Sequence, residues 1–371
     1  MIQKIFYIST VSIGLLAQTP LSLEEAIQKA WAQQPGLLAG AAMVERARAE
    51  ADAQRALRLP TLAAGIAMTR TDEPMMAFGT KLNQARIAQA DFMPNSLNHP
   101  DPVTGVGATL TLTQPLYAGG RLEAASRAGA DMAQAEAASQ ERRRQQVALA
   151  VVQAYFGAEV AEQGVTFAED TLRQGTETER FVQARVDQGL MLKSESERAR
   201  AFRAQSEAGL VEARQKLASA RSALTLLMGE ESLQAVLSTP VAGDVPELPA
   251  AAGMRGDLEA ARLQVEAARE SLNVQRGLLK PEVGLTLTAG TARQNWSQGG
   301  TWTTASVGAK WTFSFTEQRR VQAERAGVRA AELSQKWQQQ QANREVDEAR
   351  RAVETAKARM TYARIAVEAS E

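Results

Sequence analysis

The sequence predicts a mainly helical fold punctuated by four short β-strands, with the order helix, strand, strand, long helical hairpin given twice, the second time incomplete. Three observations predict it. Long proline-free stretches rich in Ala, Glu, Arg and Gln carry apolar residues at alternating spacings of four and three, the seam of packed helices. Four stretches of about nine or ten residues alternate apolar with small or hydroxyl side chains, the period of a strand. These stretches occupy matched places in two halves, which share the strings VGA (Val106 and Val307) and RAG (Arg127 and Arg325).

Composition narrows the function classes. The 42 Lys and Arg balance the 42 Asp and Glu, so no global field favours nucleic acid. The run Arg142-Arg143-Arg144 has acidic neighbours such as Glu141 and reads as a solvated helix face. There is no Cys and one His, His99. That inventory removes disulfides, thiolate metal sites, an acylated amino-terminal Cys, and Ser-His or Cys-His catalysis. No P-loop or dinucleotide fingerprint is present. No catalytic, cofactor or metal site is expected, and His99 reads as an ordinary loop residue.

In chain order, Lys4 precedes an apolar run from Ile5 to Ala17, which fits a signal peptide over 1–17; a buried strand or first helix is the other reading. The first repeat is expected over 18–237. Ser22 and Glu25 form a capping box for a helix interrupted at Pro35 and stopped at Pro60. A strand is predicted near 61–69, then a polar connection from Arg70 to Gly105 with a short helix inside it. A second strand is predicted near 106–114. Val106, Ala108, Leu110 and Leu112 form its apolar face, Pro115 ends the alternation, and Gly119-Gly120 permits a sharp turn. Long helices follow near 121–188 and 191–228, with Val147, Val151, Ala154, Ala158, Ala161, Val165, Ala168 and Leu172 as the seam of the first. They close as an antiparallel hairpin at Gln188-Gly189-Leu190.

Residues 238–256 carry prolines and glycines and read as a linker. The second repeat, 257–371, then offers a helix ending at Lys280-Pro281, strands near 282–290 and 306–316, and a last helix. Its strand-to-helix junction, TFSFTEQRR, lacks the Pro and Gly-Gly of the first. The VGA and RAG strings stand 21 residues apart in the first repeat and 18 in the second, so the second turn must be built differently. The last helix reaches Glu371 where the first repeat has reached about Asp170, without a glycine cap. A carboxy-terminal truncation of a longer protein is the expectation.

Four strands are too few to close a barrel, which needs about eight. An open sheet cannot sit in lipid with unpaired edges. Strands in a membrane would have to be pooled by several chains, eight from two copies or twelve from three. Trp296, Trp302, Trp311 and Tyr117, near the strand ends, suit an interfacial aromatic belt.

With these residues in view, the chain resembles the TolC family of outer-membrane efflux proteins. LSLEEAIQKAWAQQP resembles the family's opening helix and RLP at Arg58–Pro60 its approach to the first strand. TQPLYAGGR at Thr113–Arg121 resembles its strand-to-helix turn, and VVQAYF and LTLLMG its hairpin landmarks. The resemblance covers essentially the whole chain after residue 17. It implies a homotrimer with a twelve-stranded barrel in the outer-membrane lipid of a Gram-negative bacterium and an α-helical tunnel in the periplasm. Its partners would be a periplasmic adaptor protein and an inner-membrane pump, with no nucleic acid and no chemistry of its own. The matching hairpin end places Arg185, Gly189, Leu190 and Ser194 at the adaptor contact, with Pro115, Gly119 and Gly120 making the strand-to-helix turn. Val106, Ala108, Leu110 and Leu112 would face lipid. Drugs, metal ions, small metabolites and polypeptides all stay open as cargo. The rival reading is a non-channel coiled-coil protein of the envelope, which accounts for the helices and not for four strands in matched positions.

Overall fold

A computed structural model describes residues 20–232, 235–239, 255–294 and 299–369. The expected leader, Trp296 and most of the expected linker lie outside these residues. The chain divides into two compact units, Met1–Ala42 with Gln140–Gly253, and Met43–Ser139 with Met254–Glu371.

In the first unit, β1 (Pro20–Leu21) pairs in parallel with β4 (Val236–Leu237). α1 (Leu23–Gln33) begins at the capping box: the Ser22 hydroxyl accepts from the Glu25 amide and the Glu25 carboxylate from the Ser22 amide. It stops at Gln34, extended as a residue before proline must be, and Pro35 opens α2 (Pro35–Ala56), where its missing N–H costs nothing. α5 (Arg121–Asp187) spans 67 residues, about 100 Å at 1.5 Å each. Its carboxy-terminal part pairs with α6 (Lys193–Met228). The core is Leu21, Ala26, Ala30, Val151, Tyr155, Leu224 and Met228. Of the α5 seam, Val151 and Ala158 are buried and the other positions half-buried, and on α6 Leu210 and Leu224 are buried. The basic run packs more than its pattern suggests. Arg144 stacks over the Trp31 ring at 4.9 Å and Arg143 bonds Gln140, so the two are half-buried and not a solvated face.

The second unit holds a four-stranded antiparallel sheet in the order β2 (Thr61–Thr71), β3 (Val103–Ala118), β5 (Glu282–Arg293), β6 (Gly299–Lys310). Between β2 and β3 lie α3 (Pro74–Asn83), a 3-10 turn (Gln89–Phe92) and α4 (Pro94–Asn98). α7 (Gly256–Gly277) precedes β5, and α8 (Phe315–Glu368) follows β6. Ion pairs Arg127–Glu270 (2.9 Å) and Arg269–Glu332 (2.9 Å) tie α7 to α5 and to α8. Among the described residues no helix is long and apolar enough to cross a membrane.

Two boundaries differ from the sequence pattern. β3 does not end at Pro115 but bulges between Pro115 and Tyr117 and runs on to Ala118. Pro115 is tolerated because β2 begins opposite Thr113; beyond it that side of β3 has no strand partner among the described residues, and the Gln114 side chain donates to the Arg58 carbonyl at 2.9 Å. The fourth strand covers 299–310 instead of 306–316. Trp311 to Ser314 form no ladder, and Phe315 starts the helix.

Candidate pore wall, joint and hairpin tip

The register sorts the sheet into two faces. Leu62, Leu112, Leu287 and Ala305 lie in one row, Ala64, Leu110, Ala289 and Thr303 in the next, and Ile66, Ala108, Thr291 and Thr301 in a third. Val106 sits on the same face opposite Met68. Leu62, Ile66, Met68, Leu110 and Leu287 stand in the open here, Ile66 at 78% exposure, and Leu112 is half-buried. The other face is built from Thr61, Thr113, Thr286 and Ser306, then Ala63, Thr111, Thr288 and Thr304, with Gly65, Thr109 and Gly290 above. Thr111 and Thr288 share a hydroxyl–hydroxyl bond of 3.4 Å. Trp302 belongs to this small-residue face, its indole filling the space where Gly290 lacks a Cβ. It therefore leaves the expected belt. Tyr117 and Trp311 lie at the helix-bearing end of the sheet, where the Trp311 indole N–H donates to the Leu279 carbonyl at 3.0 Å.

At the first joint Gly119 and Gly120 adopt φ of 65° and 82°, left-handed values that glycine reaches without strain. A Cβ on Gly119 would run into the Gly277 carbonyl, whereas Gly120 has open space. Arg121, first in α5, pairs with Glu282, first in β5, at 3.0 Å. A polar notch of about 270 Å³ opens beside them, lined in part by Lys280, Lys310 and Glu317. The second joint has no such glycines: Ser314 is extended and gives no side-chain cap, and the Phe313 and Phe315 rings meet edge-on at 5.2 Å.

The hairpin tip is a Schellman motif. The Gly189 amide donates to the Val186 carbonyl and the Leu190 amide to the Arg185 carbonyl, both at 2.9 Å, with Gly189 at φ 72°. Arg185 lies over the Phe181 ring at 5.1 Å, and Ser194 is the second residue of α6. Leu190, Met191 and Leu192 are exposed together, Leu192 at 72%. Behind the tip, Gln183 bonds Ser196, and Glu179–Arg203, Glu169–Arg214 and Glu162–Arg221 step down the hairpin in antiparallel register. On the sheet-side part of α5, burial first and then Glu266 and Glu270 push the Asp131 carboxyl above its usual range, while Arg127 holds Glu270 below it.

The sequence profile of the outer membrane efflux protein family matches residues 26–230 and 248–371. The chain belongs to that family. Among solved structures, a membrane protein from Pseudomonas aeruginosa is similar at 21% identity and a TM-score of 0.74, covering 87% of this chain and 74% of that one. CusC, described in terms of folding and transmembrane channel formation, is similar at 20% and 0.69, over 86% and 71%. The MtrE outer membrane channel of Neisseria gonorrhoeae, in its open state, is similar at 18% and 0.65, over 84% and 68%. A search of curated protein sequences returns no match. The outer membrane efflux family and the folds it shares with these structures are those of TolC-like channels and not of enzymes.

Three features of this efflux protein escape its residue pattern. Tyr155, fully buried, donates to the Leu21 carbonyl at 2.7 Å and accepts from the Ser238 and Thr239 amides at 3.0 and 2.9 Å. The tip's apolar trio includes Met191 and Leu192, which the resemblance does not single out. Gln84, in the connection between β2 and β3, is 1% exposed. For Gln84 the only signal in the sequence is a long connection that contains helix formers.

Proposed function

We propose that this chain is the outer-membrane exit channel of a tripartite efflux or type I secretion system. It is a passive duct for cargo delivered by an inner-membrane pump through a periplasmic adaptor. The observation that carries the reading is the two-faced sheet with free edges at β2 and β6. Exposed Leu, Ile and Met side chains suit lipid, and Thr, Gly and Ala suit a wet lumen. Free edges are not tolerated in lipid, so β6 of one copy pairs with β2 of the next, and three copies pool twelve strands. Val106, Ala108, Leu110 and Leu112 then face lipid, and beyond the bulge at Pro115 the pair Gly119-Gly120 turns the chain from barrel to helices. The adaptor docks at the hairpin tip on Arg185, Gly189, Leu190 and Ser194, where the exposed Leu190–Leu192 trio supplies apolar contact.

The test is extraction of bacterial outer membranes in detergent followed by sizing and planar-bilayer recording. A conducting trimer is expected. Leu190→Asp combined with Leu192→Asp should leave conductance intact and abolish cargo export in cells. A cytosolic monomer, or a trimer that never conducts, overturns the channel; tip variants that export normally overturn the docking site.

A further inference from the structure

We propose that the connection Pro74–Asn98 is a folded cap lying over the mouth of the pore, that it limits conductance there, and that Gln84 is the residue that positions it. The proposal rests on the reading of the small-residue face as the lumen wall. The connection is folded in its own right. Ala77 is fully buried, Phe78 and Phe92 meet edge-on at 5.7 Å, and Lys81 pairs with Asp91 at 2.8 Å. Asp91 also accepts from the Ala88 amide at 2.8 Å and so starts the 3-10 turn.

The side of the sheet that the cap occupies follows from two glycines. A Cβ on Gly105 would stand 2.9 Å from the Thr80 methyl and 3.0 Å from the Gln84 amide nitrogen. One on Gly300 would meet the Asn83 carbonyl. Both would point along the face that carries Thr109, Thr111 and Thr304, since Gly300 pairs in line with Ala292 and Gly107. The opposite face keeps Ile66 and Met68 exposed. The cap therefore folds inward over the hydroxyl-lined wall at the end of the sheet remote from the helices.

Gln84 fixes it there. Its amide Nε2 donates to the Thr104 carbonyl on β3 at 2.9 Å and to the Arg293 carbonyl on β5 at 3.2 Å, while its Oε1 accepts from Arg86 at 2.8 Å. One buried side chain thus ties the end of α3 to two strands. The chain accepts strain to bring it there: Ala85 has φ 56°, a left-handed value unfavourable for a residue with a Cβ. That conformation lets the Arg86 amide reach the Lys81 carbonyl at 3.0 Å and ends α3 over the wall.

Planar-bilayer recording on the full-length trimer tests this, comparing wild type, Gln84→Ala and a chain in which 75–98 is replaced by a short Gly-Ser linker. Removing the cap should raise single-channel conductance by roughly twofold or more, and Gln84→Ala should move most of the way there with added flicker. Because the chain has no Cys, Thr109→Cys gives a second readout. A bulky maleimide added outside cells should label it faster in the two cap variants, and a small maleimide equally in all. Unchanged conductance and labelling in the cap-less chain overturn the cap. Wild-type behaviour of Gln84→Ala beside a more conductive cap-less chain overturns the role of Gln84. A wild-type trimer that carries no current fails the channel reading itself.

Discussion

Leu110 and Thr111 are neighbours in the chain and stand on opposite faces of β3. The proposed lipid boundary can be tried on this pair alone. Leu110→Arg should weaken membrane assembly by roughly 2–4 kcal/mol if it lies at midplane depth, whereas Thr111→Arg should be tolerated. The fraction of folded trimer on unheated gels reads both, and equal tolerance removes the lipid-facing assignment. The alternation of these residues was legible because the period of a strand fixes which side chains share a face. The left-handed values at Gly119, Gly120 and Gly189 were equally legible, since two of the three sit beside the end of a long periodic helix and the third closes the hairpin. What each glycine touches was not. That Gly119 is pressed against the Gly277 carbonyl, with Gly120 free, depends on a helix 158 positions further on. Trp302 went astray for a related reason: its chain position near a strand end says nothing about the Gly290 gap across the ladder that its indole fills.

Elements were read well where pattern and partner agree. The capping box of α1, the stop before Pro35 and the hairpin of α5 and α6 each follow from local rules. The fourth strand did not, because Trp311, Phe313 and Phe315 continue the alternation past the point where a partner exists. β5 begins at Glu282, opposite Lys310, and a strand cannot outlast its ladder. At its other end, GGTWTTAS offers too little contrast between faces to show that the strand had begun. Within the first unit, Tyr155 joins α5 to β1 and to the two residues that follow β4, and no spacing rule could reveal it because its partners are backbone groups distant in sequence. Tyr155→Phe would leave the Thr239 amide and the Leu21 lone pair facing a ring edge. It should cost about 1–3 kcal/mol, seen as a lower denaturation midpoint with an unchanged helical signal. The Glu169–Arg214 rung of the hairpin is exposed, and its removal should matter by about 1 kcal/mol or less.

At the scale of the molecule, membership of the efflux family and a mostly helical chain bearing one four-stranded sheet agree with the sequence pattern. The order of motifs along the chain carried that reading. What it could not carry is the content of the connection between the first two strands, where a buried Gln and a strained Ala do work that no motif records.

The pairing of β3 with β5 also has a consequence in time. Thr111 and Thr288 meet across 177 positions, with the whole long hairpin between them, whereas β5 and β6 are joined by a short link. Contacts so far apart in sequence form slowly. The β2–β3 and β5–β6 ribbons should therefore exist as separate halves until the intervening helices have packed. Pulse-labelling hydrogen exchange during refolding in detergent should show the helical amides protected first and those across the β3–β5 seam last. Simultaneous protection of all three ladders would refute that order. In a chain built this way the face proposed to meet lipid stays divided in two until late, which would delay the moment at which a membrane can take it up.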